Sequence, residues 1–192
     1  MSLDHILLGM LREPASGYDL KREFSGGPRH FWSAELSQIY PTLNRLERKK
    51  LLKSSVEPSV QGPRRRVYGR TKAGHKELLR WLQGGPVMGT QRFAYVAQLA
   101  FLYEAQDLNA TRKFMEQLRK ELSDFLAFLQ QAEAHYTQAA QNPAALSDIE
   151  FHDYLCLRMG VTSITARVAW CDECIERIRK RQRRRRRSEV AK

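Results

Sequence analysis

The sequence lacks the features that define several protein classes. Its 192 residues include three cysteines, and an odd number in so long a chain does not make a disulfide framework. No apolar run approaches the roughly 20 residues of a membrane span, and the first residues contain neither a basic leader nor a small-residue cleavage site. A phosphate-binding glycine loop, a nucleophile motif and paired carboxylates in an apolar setting are also missing. These absences predict a cytoplasmic protein that is not an enzyme, requires no cofactor and does not bind membranes.

Potential metal ligands are few and scattered. The sequence CDEC places Cys171 and Cys174 in a C-x-x-C pair, but a zinc site needs two further ligands, and the five histidines show no ligand spacing. Free cysteine is among the most buried residue types, so we interpret both thiols as small apolar core groups and expect no metal site. A thiol switch remains the alternative.

Positive charge is unevenly distributed along the chain. The net charge is +12, to which residues 1–82 contribute +8 and residues 177–192 contribute +9, whereas residues 83–176 carry −5. The sign changes across an uncharged loop rich in glycine. We therefore predict four segments, namely a basic N-terminal domain (1–83), a linker (84–90), a helical domain (91–182) and an Arg-rich disordered tail (183–192).

Helix-breaking glycine and proline residues divide the basic domain into short elements. Pro14 and the GGP at 26–28 separate three apolar segments, the last of which is LSQIYPTLNRLERKK at 36–50. Pro41 is compatible with a helix there if the helix starts near Ser37, because backbone N–H groups in the first turn have no intrahelical partners. Two alternating segments around SVQGP then predict a β-hairpin, and Thr71 can cap a fourth helix. Three helices followed by a hairpin are the plan of a winged helix-turn-helix.

The third helix and the hairpin together suit duplex DNA. Ile39, Leu43 and Leu46 share a face that points to the core, while small polar groups occupy the first turn and can meet base edges and phosphates. Three adjacent arginines at the hairpin tip suit phosphates or a narrow minor groove. The predicted DNA-binding residues are Ser37, Gln38, Tyr40, Thr42, Arg45, Arg64, Arg65 and Arg66.

The second domain shows helical periodicity throughout. We predict one helix around 93–103, a long one over 114–136 that ends near Asn142-Pro143, and a last one with a strict 4-3-4-3 apolar spacing. That seam can close a bundle within the chain or pair with a second chain, and we favour the second because a small domain of long helices buries little alone. The predicted dimerisation residues are Leu157, Val161, Ile164, Val168, Cys171 and Ile175.

Two further features remain open from these patterns. Trp81, Phe93, Tyr95 and Trp170 are candidates for lining an effector pocket, with plain core packing as the alternative. The segment RIRKRQRRRRR (177–187) should repel itself, and it can add sequence-independent affinity for DNA or RNA or meet anionic lipid.

Four strings resemble the PadR family of bacterial transcriptional regulators. They are GYDL (17–20), SQIYPTLNRLERK (37–49), GPRRRVY (62–68) and TKAG (71–74). The helical remainder resembles the C-terminal domain of the longer subgroup, which includes the virulence-activator type. The resemblance implies a recognition helix at 37–49 with Tyr40 and Pro41 at its start, so that Pro41 joins the DNA-binding set, and a wing at 62–66. Where the family usually has a glycine after this helix, the chain has Lys50.

The expected protein is therefore mainly α, with a winged helix-turn-helix domain and a helical dimerisation domain. The resemblance implies a homodimer that binds operator DNA, usually as a repressor, with release by a ligand or by stress. A two-fold dimer reads a palindrome whose half-sites lie about one helical turn (~34 Å) apart. The alternative from a different class is a nonspecific DNA- or RNA-binding protein that relies on the arginine tail.

Overall fold

The computed structural model of the chain describes residues 2–26, 32–59, 62–89, 92–140 and 146–190. It is mainly helical and separates into two compact units, Met1–Gly89 and Thr90–Lys192. Among the described residues, no helix is both long and apolar enough to cross a bilayer.

The described residues of the first unit form four helices and a small antiparallel sheet. Strand β3 lies in the centre of the sheet, with β1 on one side and β2 on the other. The elements in chain order are α1 (Ser2–Met10), β1 (Ala15–Ser16), α2 (Gly17–Ser25), α3 (Leu36–Arg48), β2 (Leu52–Ser59), β3 (Gly62–Arg70) and α4 (Lys72–Gln83). This order confirms the predicted winged helix-turn-helix. The expected turn residues 60 and 61 lie outside the described residues.

The two-residue strand β1 is the part of the sheet that the sequence did not predict. Ala15 pairs with Tyr68 and Ser16 with Val67, so the start of the helix-turn-helix is joined directly to the wing. Ser16 also caps α2: its hydroxyl accepts a hydrogen bond from the backbone N–H of Asp19 at 3.2 Å, and the Asp19 carboxylate accepts one from the backbone N–H of Ser16 at 3.1 Å. This reciprocal capping satisfies donors that a helix start otherwise leaves unpaired.

The core of the first unit is formed by the apolar faces of its helices. Ile39, Leu43 and Leu46 of α3 are buried in it, as their spacing predicted. Burial of one such side chain is worth about 1.5 to 3 kcal/mol, so this face alone orients α3. The opposite face of the helix is left for solvent.

Helix α3 ends in a Schellman motif with a lysine at the left-handed position. The N–H of Leu51 donates to the carbonyl of Leu46 at 3.0 Å, and the N–H of Lys50 donates to that of Glu47 at 2.8 Å. Lys50 has φ of 59°, which costs a residue with a Cβ atom about 1 kcal/mol or more. The turn that usually contains glycine thus forms here with a strained lysine.

The second unit is an antiparallel helix pair preceded by a short helical segment. It contains α5 (Ala94–Phe101), a 3₁₀ helix (Leu102–Ala105), α6 (Leu108–Ala140) and α7 (Asp148–Val190). The pairing of α6 with α7 runs from Asn109 with Gln182 at one end to Glu133 with Arg158 towards the other. The expected stop at Asn142-Pro143 lies outside the described residues.

The heptad seam of α7, whose residues are the predicted dimerisation set, packs inside the chain, which is the alternative that its spacing left open. Five of its six residues (Leu157, Val161, Ile164, Cys171, Ile175) are buried in one cluster with Met115, Leu118, Leu122 and Leu129 of α6, and Val168 packs against the same cluster. A heptad seam needs a complementary helix, and α6 supplies it. Burial raises the pKa values of the Cys171 and Cys174 thiols, in keeping with apolar core groups.

The Arg-rich end of the chain is helical, whereas its charge predicted disorder from residue 183. Helix α7 continues to Val190 without a break. Arginine has a high helix propensity, and cations are favourable near the C-terminal end of a helix. These effects offset the repulsion on which the expectation of disorder rested.

Candidate nucleic-acid interface

The exposed face of α3 carries short polar side chains in its first two turns. Ser37, Gln38, Tyr40 and Pro41 are all exposed, as the DNA-binding prediction requires. Pro41 lies in the second turn of α3, because Leu36 begins the helix. The N-terminal end of the helix is fastened to α2, since Lys21 Nζ lies 2.6 Å from the carboxylate of Glu35, the residue just before α3.

The aromatic ring of Tyr40 rests on the backbone of α2 at a glycine. A Cβ atom built on Gly17 would lie 2.6 Å from Cε1 of the ring, closer than real Cβ contacts come. The absence of a Cβ atom at Gly17 therefore leaves the space that the ring occupies, while 40% of Tyr40 stays exposed. The glycine of GYDL and the tyrosine of SQIYPTL thus form one contact, and it sets the direction in which the phenol projects.

Two of the predicted DNA contacts are turned into the protein. Thr42 is buried, with 4% of its surface exposed, and cannot reach a base or a phosphate. Arg45 lies at the edge of the buried face, and its Nη2 is 2.5 Å from Oδ1 of Asp4, a carboxylate of α1 that is itself buried. Arg45 therefore anchors α3 to α1, and its role as a base or backbone contact stays a prediction.

Arg66 of the wing is bound to the recognition helix. Its Nη2 donates to the Glu47 carboxylate at 2.6 Å and its Nε donates to the Ser54 hydroxyl at 2.9 Å, while that hydroxyl donates to the other oxygen of Glu47. The hydrogen bond from Ser54 and the charge of Arg66 hold the pKa of Glu47 below its usual range. The guanidinium also lies over the ring of Tyr68. We call Glu47, Ser54 and Arg66 the wing lock, because they join α3 to both wing strands.

The other two wing arginines differ in their surroundings. Arg65 lies 3.5 Å from the Asp19 carboxylate of α2, whose pKa is lowered chiefly by hydrogen bonds from Ser16 and less by this cation. Arg64 is exposed and has no ion-pair partner within the described part of the chain. Of the three predicted wing contacts, Arg64 is therefore the one whose charge is not already balanced.

Two exposed polar residues on this side of α3 are not among the predicted DNA contacts. Asn44 and Arg48 are exposed and lie three and seven positions after Pro41, on the same side of α3. An asparagine amide can pair with adenine and an arginine with guanine or phosphate. The 37, 41, 44, 48 spacing, which complements the buried 39, 43, 46 spacing, was the signal that would have found them.

The predicted effector aromatics lie in two separate environments. Trp81 belongs to the first unit and stacks on His5, with ring centroids 5.0 Å apart. In the second unit Phe93 packs against Tyr95 and beneath the guanidinium of Arg167, and Trp170 packs against the α6–α7 core. A groove of about 580 Å³ lies elsewhere in that unit, and none of the four lines it. Its walls are formed by Leu99, Leu102, Tyr103, Gln106, Asp107, Leu108, Thr111, Arg181 and Arg185.

Comparison with known families matches both units. Residues 6–80 match the transcriptional regulator PadR-like family, and residues 97–179 match the virulence activator alpha C-terminal family. The chain therefore combines a PadR-like domain with a virulence activator alpha C-terminal domain. The second match confirms that this PadR-like chain has the C-terminal domain of the longer, virulence-activator type. The family consists of DNA-binding regulators rather than enzymes.

Individual relatives agree over almost the whole chain. The negative transcriptional regulator PadR of Bacillus subtilis is 29% identical over 185 residues, which covers 93% of this chain and 98% of the relative. The structure of the Vibrio cholerae virulence activator AphA is 28% identical, covers 93% and 98% of the two chains, and superposes with a TM-score of 0.69.

Bacillus subtilis PadR has also been crystallised with two kinds of ligand. The complex with operator DNA is 23% identical over 93% of this chain and 99% of that one, with a TM-score of 0.75. The complex with p-coumaric acid is 24% identical over the same shares, with a TM-score of 0.68. At these identities the likeness establishes the fold of this PadR-like chain.

Proposed function

We propose that the chain is a homodimeric repressor that reads a palindromic operator with the exposed face of α3 and braces it with the wing. The observation that carries this proposal is the exposed polar row of Ser37, Tyr40, Asn44 and Arg48 on a helix that the core orients. Side chains of this kind supply the donors, acceptors and stacking surface that base edges require. The resemblance to a negative regulator favours repression over activation.

The wing supports the same proposal through its charge. Arg64 can neutralise a phosphate, because no carboxylate in the described residues competes for it. Arg66 acts differently: it positions the wing against α3 through the wing lock. We therefore propose that Arg64 contacts DNA and that Arg66 sets where that contact is made.

Dimerisation needs a surface other than the heptad seam, which α6 already covers. The second unit retains large exposed apolar side chains on α5, the 3₁₀ helix and the outer side of α7, namely Val96, Phe101, Tyr103, Ile149, Leu155 and Met159. Apolar area of this extent, left open on one chain, is typical of an interface. We propose that a second copy covers it, since a palindrome requires two recognition helices related by a two-fold axis.

The proposed function is tested by selecting duplexes from a random library with the full chain. We expect a palindrome with half-site centres one helical turn apart, and binding that is lost from a scrambled duplex. Tyr40→Ala and Asn44→Ala should each lower affinity for the selected duplex by about 10- to 100-fold, the equivalent of 1 to 3 kcal/mol per base contact. Lys113→Ala, at an exposed cation of α6, is the matched control.

Light scattering on the same samples reports the dimer independently. Wild type and both variants should have the mass of two chains, whereas Leu155→Glu combined with Met159→Glu should give folded monomers. If the selection yields no consensus, or if Tyr40→Ala and Asn44→Ala both keep full affinity, the exposed face of α3 does not read the operator.

We further propose that binding of a small aromatic acid releases the chain from its operator DNA. Bacillus subtilis PadR has been crystallised with p-coumaric acid, and the groove in the second unit offers apolar walls together with the guanidinium of Arg181. Addition of p-coumaric acid to the preformed complex should release DNA, and the neutral p-coumaryl alcohol should not. If p-coumaric acid still releases DNA from Arg181→Gln, the effector binds outside this groove.

A further inference from the structure

The last turns of α7 contain the densest run of positive charge in the sequence. Nine of the eleven residues from 177 to 187 are arginine or lysine, and no acidic residue follows Glu176 until Glu189. Within the described residues, two of these guanidiniums are paired with acids, whereas Arg181 and four nearer the end of α7 are not. Arg177 and Arg179 are balanced by Glu173, Glu176 and Glu116, whereas Arg183, Arg184, Arg185 and Arg187 are exposed and form no ion pair.

This unpaired group lies beyond the start of the neighbouring helix. Gln182 donates a hydrogen bond to the Asn109 side chain in the first turn of α6 at 2.9 Å, and the residues after it extend α7 by about two turns (~12 Å). Asp107 lies in the groove beside Arg185, but its carboxylate already accepts hydrogen bonds from the backbone N–H groups of Asn109 and Ala110. We call residues 183–187 the arginine helix end.

The distribution of charge around this segment restricts its partner. Consecutive residues of a helix are spaced by 100°, so adjacent arginines project in different directions around the axis. A helix that lies on a lipid surface needs an apolar face, and no apolar residue occurs between Ile178 and Val190. Unbalanced guanidiniums on several sides suit a partner that presents phosphates in rows, as a nucleic-acid duplex does.

We propose that the arginine helix end is a second, sequence-independent binding site for the phosphate backbone of duplex DNA. The same chain carries a duplex-binding domain, so once either site is bound, the other is held near DNA at high effective concentration. Counterion release then adds affinity for any sequence, and this site is separate from base recognition by α3. The inference goes beyond operator recognition and does not depend on it, because it predicts binding to scrambled duplexes as well.

The experiment compares wild type with three full-length variants. In the first variant Arg183, Arg184, Arg185 and Arg187 are all changed to glutamine, and in the second they are all changed to lysine, which keeps the charge. The control is Arg177→Gln combined with Arg179→Gln, which removes cations that acids already balance. Binding to the selected duplex, to a scrambled duplex and to single-stranded RNA of equal length is measured over a salt series, and circular dichroism checks the helix content.

We expect the glutamine variant to lose affinity for both duplexes by the same factor, about tenfold or more at low salt. Its log–log salt slope should fall by about 0.9 for each phosphate that the arginines no longer neutralise. The lysine variant should keep the wild-type slope, and the control should change little. Unchanged duplex affinity in the glutamine variant, or a larger loss on RNA than on duplex DNA, would overturn the proposal. Failure of the regulator proposal looks different, since wild type would then fail to prefer the selected duplex.

Discussion

The two units of this chain are stabilised internally by different kinds of contact. The first unit adds to its apolar core single polar contacts between residues far apart in sequence, such as Asp4 with Arg45 and Glu47 with Arg66. The second unit depends on one seam that repeats along two long helices. A single contact specifies its partner residue, whereas a repeated seam accepts any complementary helix. A unit of the first kind can therefore be recognised from a short sequence motif. The apolar spacing of the second kind does not say which helix packs against it.

The largest expected effect tests whether the seam is intrachain. Ile164→Asp places a carboxylate in the middle of the α6–α7 core, where an unpaired charge is costly, and should lower the free energy of unfolding by about 4 kcal/mol or more. Thermal unfolding followed by circular dichroism measures the loss. Leu155→Asp, on the outer side of α7, should change the mass by light scattering but leave each chain folded. A folded monomer from Ile164→Asp would restore the seam to the dimer interface.

Gly74→Ala probes the tightest single contact of the first unit. The N–H of Gly74 donates to the capping hydroxyl of Thr71 at 3.0 Å, and a Cβ atom on Gly74 would overlap the backbone carbonyl oxygen of Leu51. Neither backbone can move without breaking this cap, so we expect a loss of about 3 kcal/mol in the free energy of unfolding by urea. Gly9→Ala is the control, because a Cβ atom there meets nothing within 4 Å. It should be neutral or slightly stabilising.

Arg45→Ala separates anchoring from DNA contact. Removal of the guanidinium leaves the buried carboxylate of Asp4 unpaired, and we expect a loss of about 2 kcal/mol, moderated because 31% of the Arg45 side chain is exposed. Asp4→Ala combined with Arg45→Ala should be more stable than Arg45→Ala alone, since no unpaired charge remains. If the double variant instead binds the selected duplex as weakly as Tyr40→Ala while remaining fully stable, Arg45 contacts DNA after all.

The wing lock should affect binding more than stability. Glu47→Gln weakens the bond to Arg66 and frees the wing to move, so affinity for the selected duplex should fall by about fivefold to tenfold, with little change in unfolding. The folded-state pKa of Glu47 is depressed, so the lock is fully formed above the ordinary value of 4.5 and is lost as the pH falls through the lowered pKa. Amide exchange of β2 and β3 measured from pH 6 to pH 3 should rise over that interval, after correction for intrinsic rates. A flat profile would contradict the lock.

The smallest expected effect is a gain in stability. Lys50→Gly removes the strain of a left-handed lysine at the end of α3 and should stabilise the first unit by about 0.5 to 1 kcal/mol, once the extra freedom of glycine in the unfolded chain is included. The midpoint of urea unfolding measures it. Lys49→Gly, one residue earlier at a negative φ, should destabilise instead. A loss in both variants would show that the lysine side chain contributes contacts that outweigh the strain.

Residues whose role follows from their own type and spacing were predictable. The buried row on α3, the cap at Thr71 and the polar first turn depend on local periodicity and on residue chemistry, and the structure confirms each of them. Arg45 was not predictable in this way, because its partner Asp4 lies 41 residues away and the edge of a helix faces both core and solvent. The seam of α7 was ambiguous for a different reason: the same spacing serves a neighbour in the chain or a neighbour in a dimer.

The contact between Gly17 and Tyr40 has a consequence for how such chains diverge. Because a Cβ atom at position 17 would lie 2.6 Å from the ring, a larger residue there requires the ring of Tyr40 to shift or a smaller side chain to replace it. A descendant that replaces the glycine therefore either moves the phenol of residue 40 or loses it. We therefore expect the first residue of α2 and the residue at position 40 to vary together.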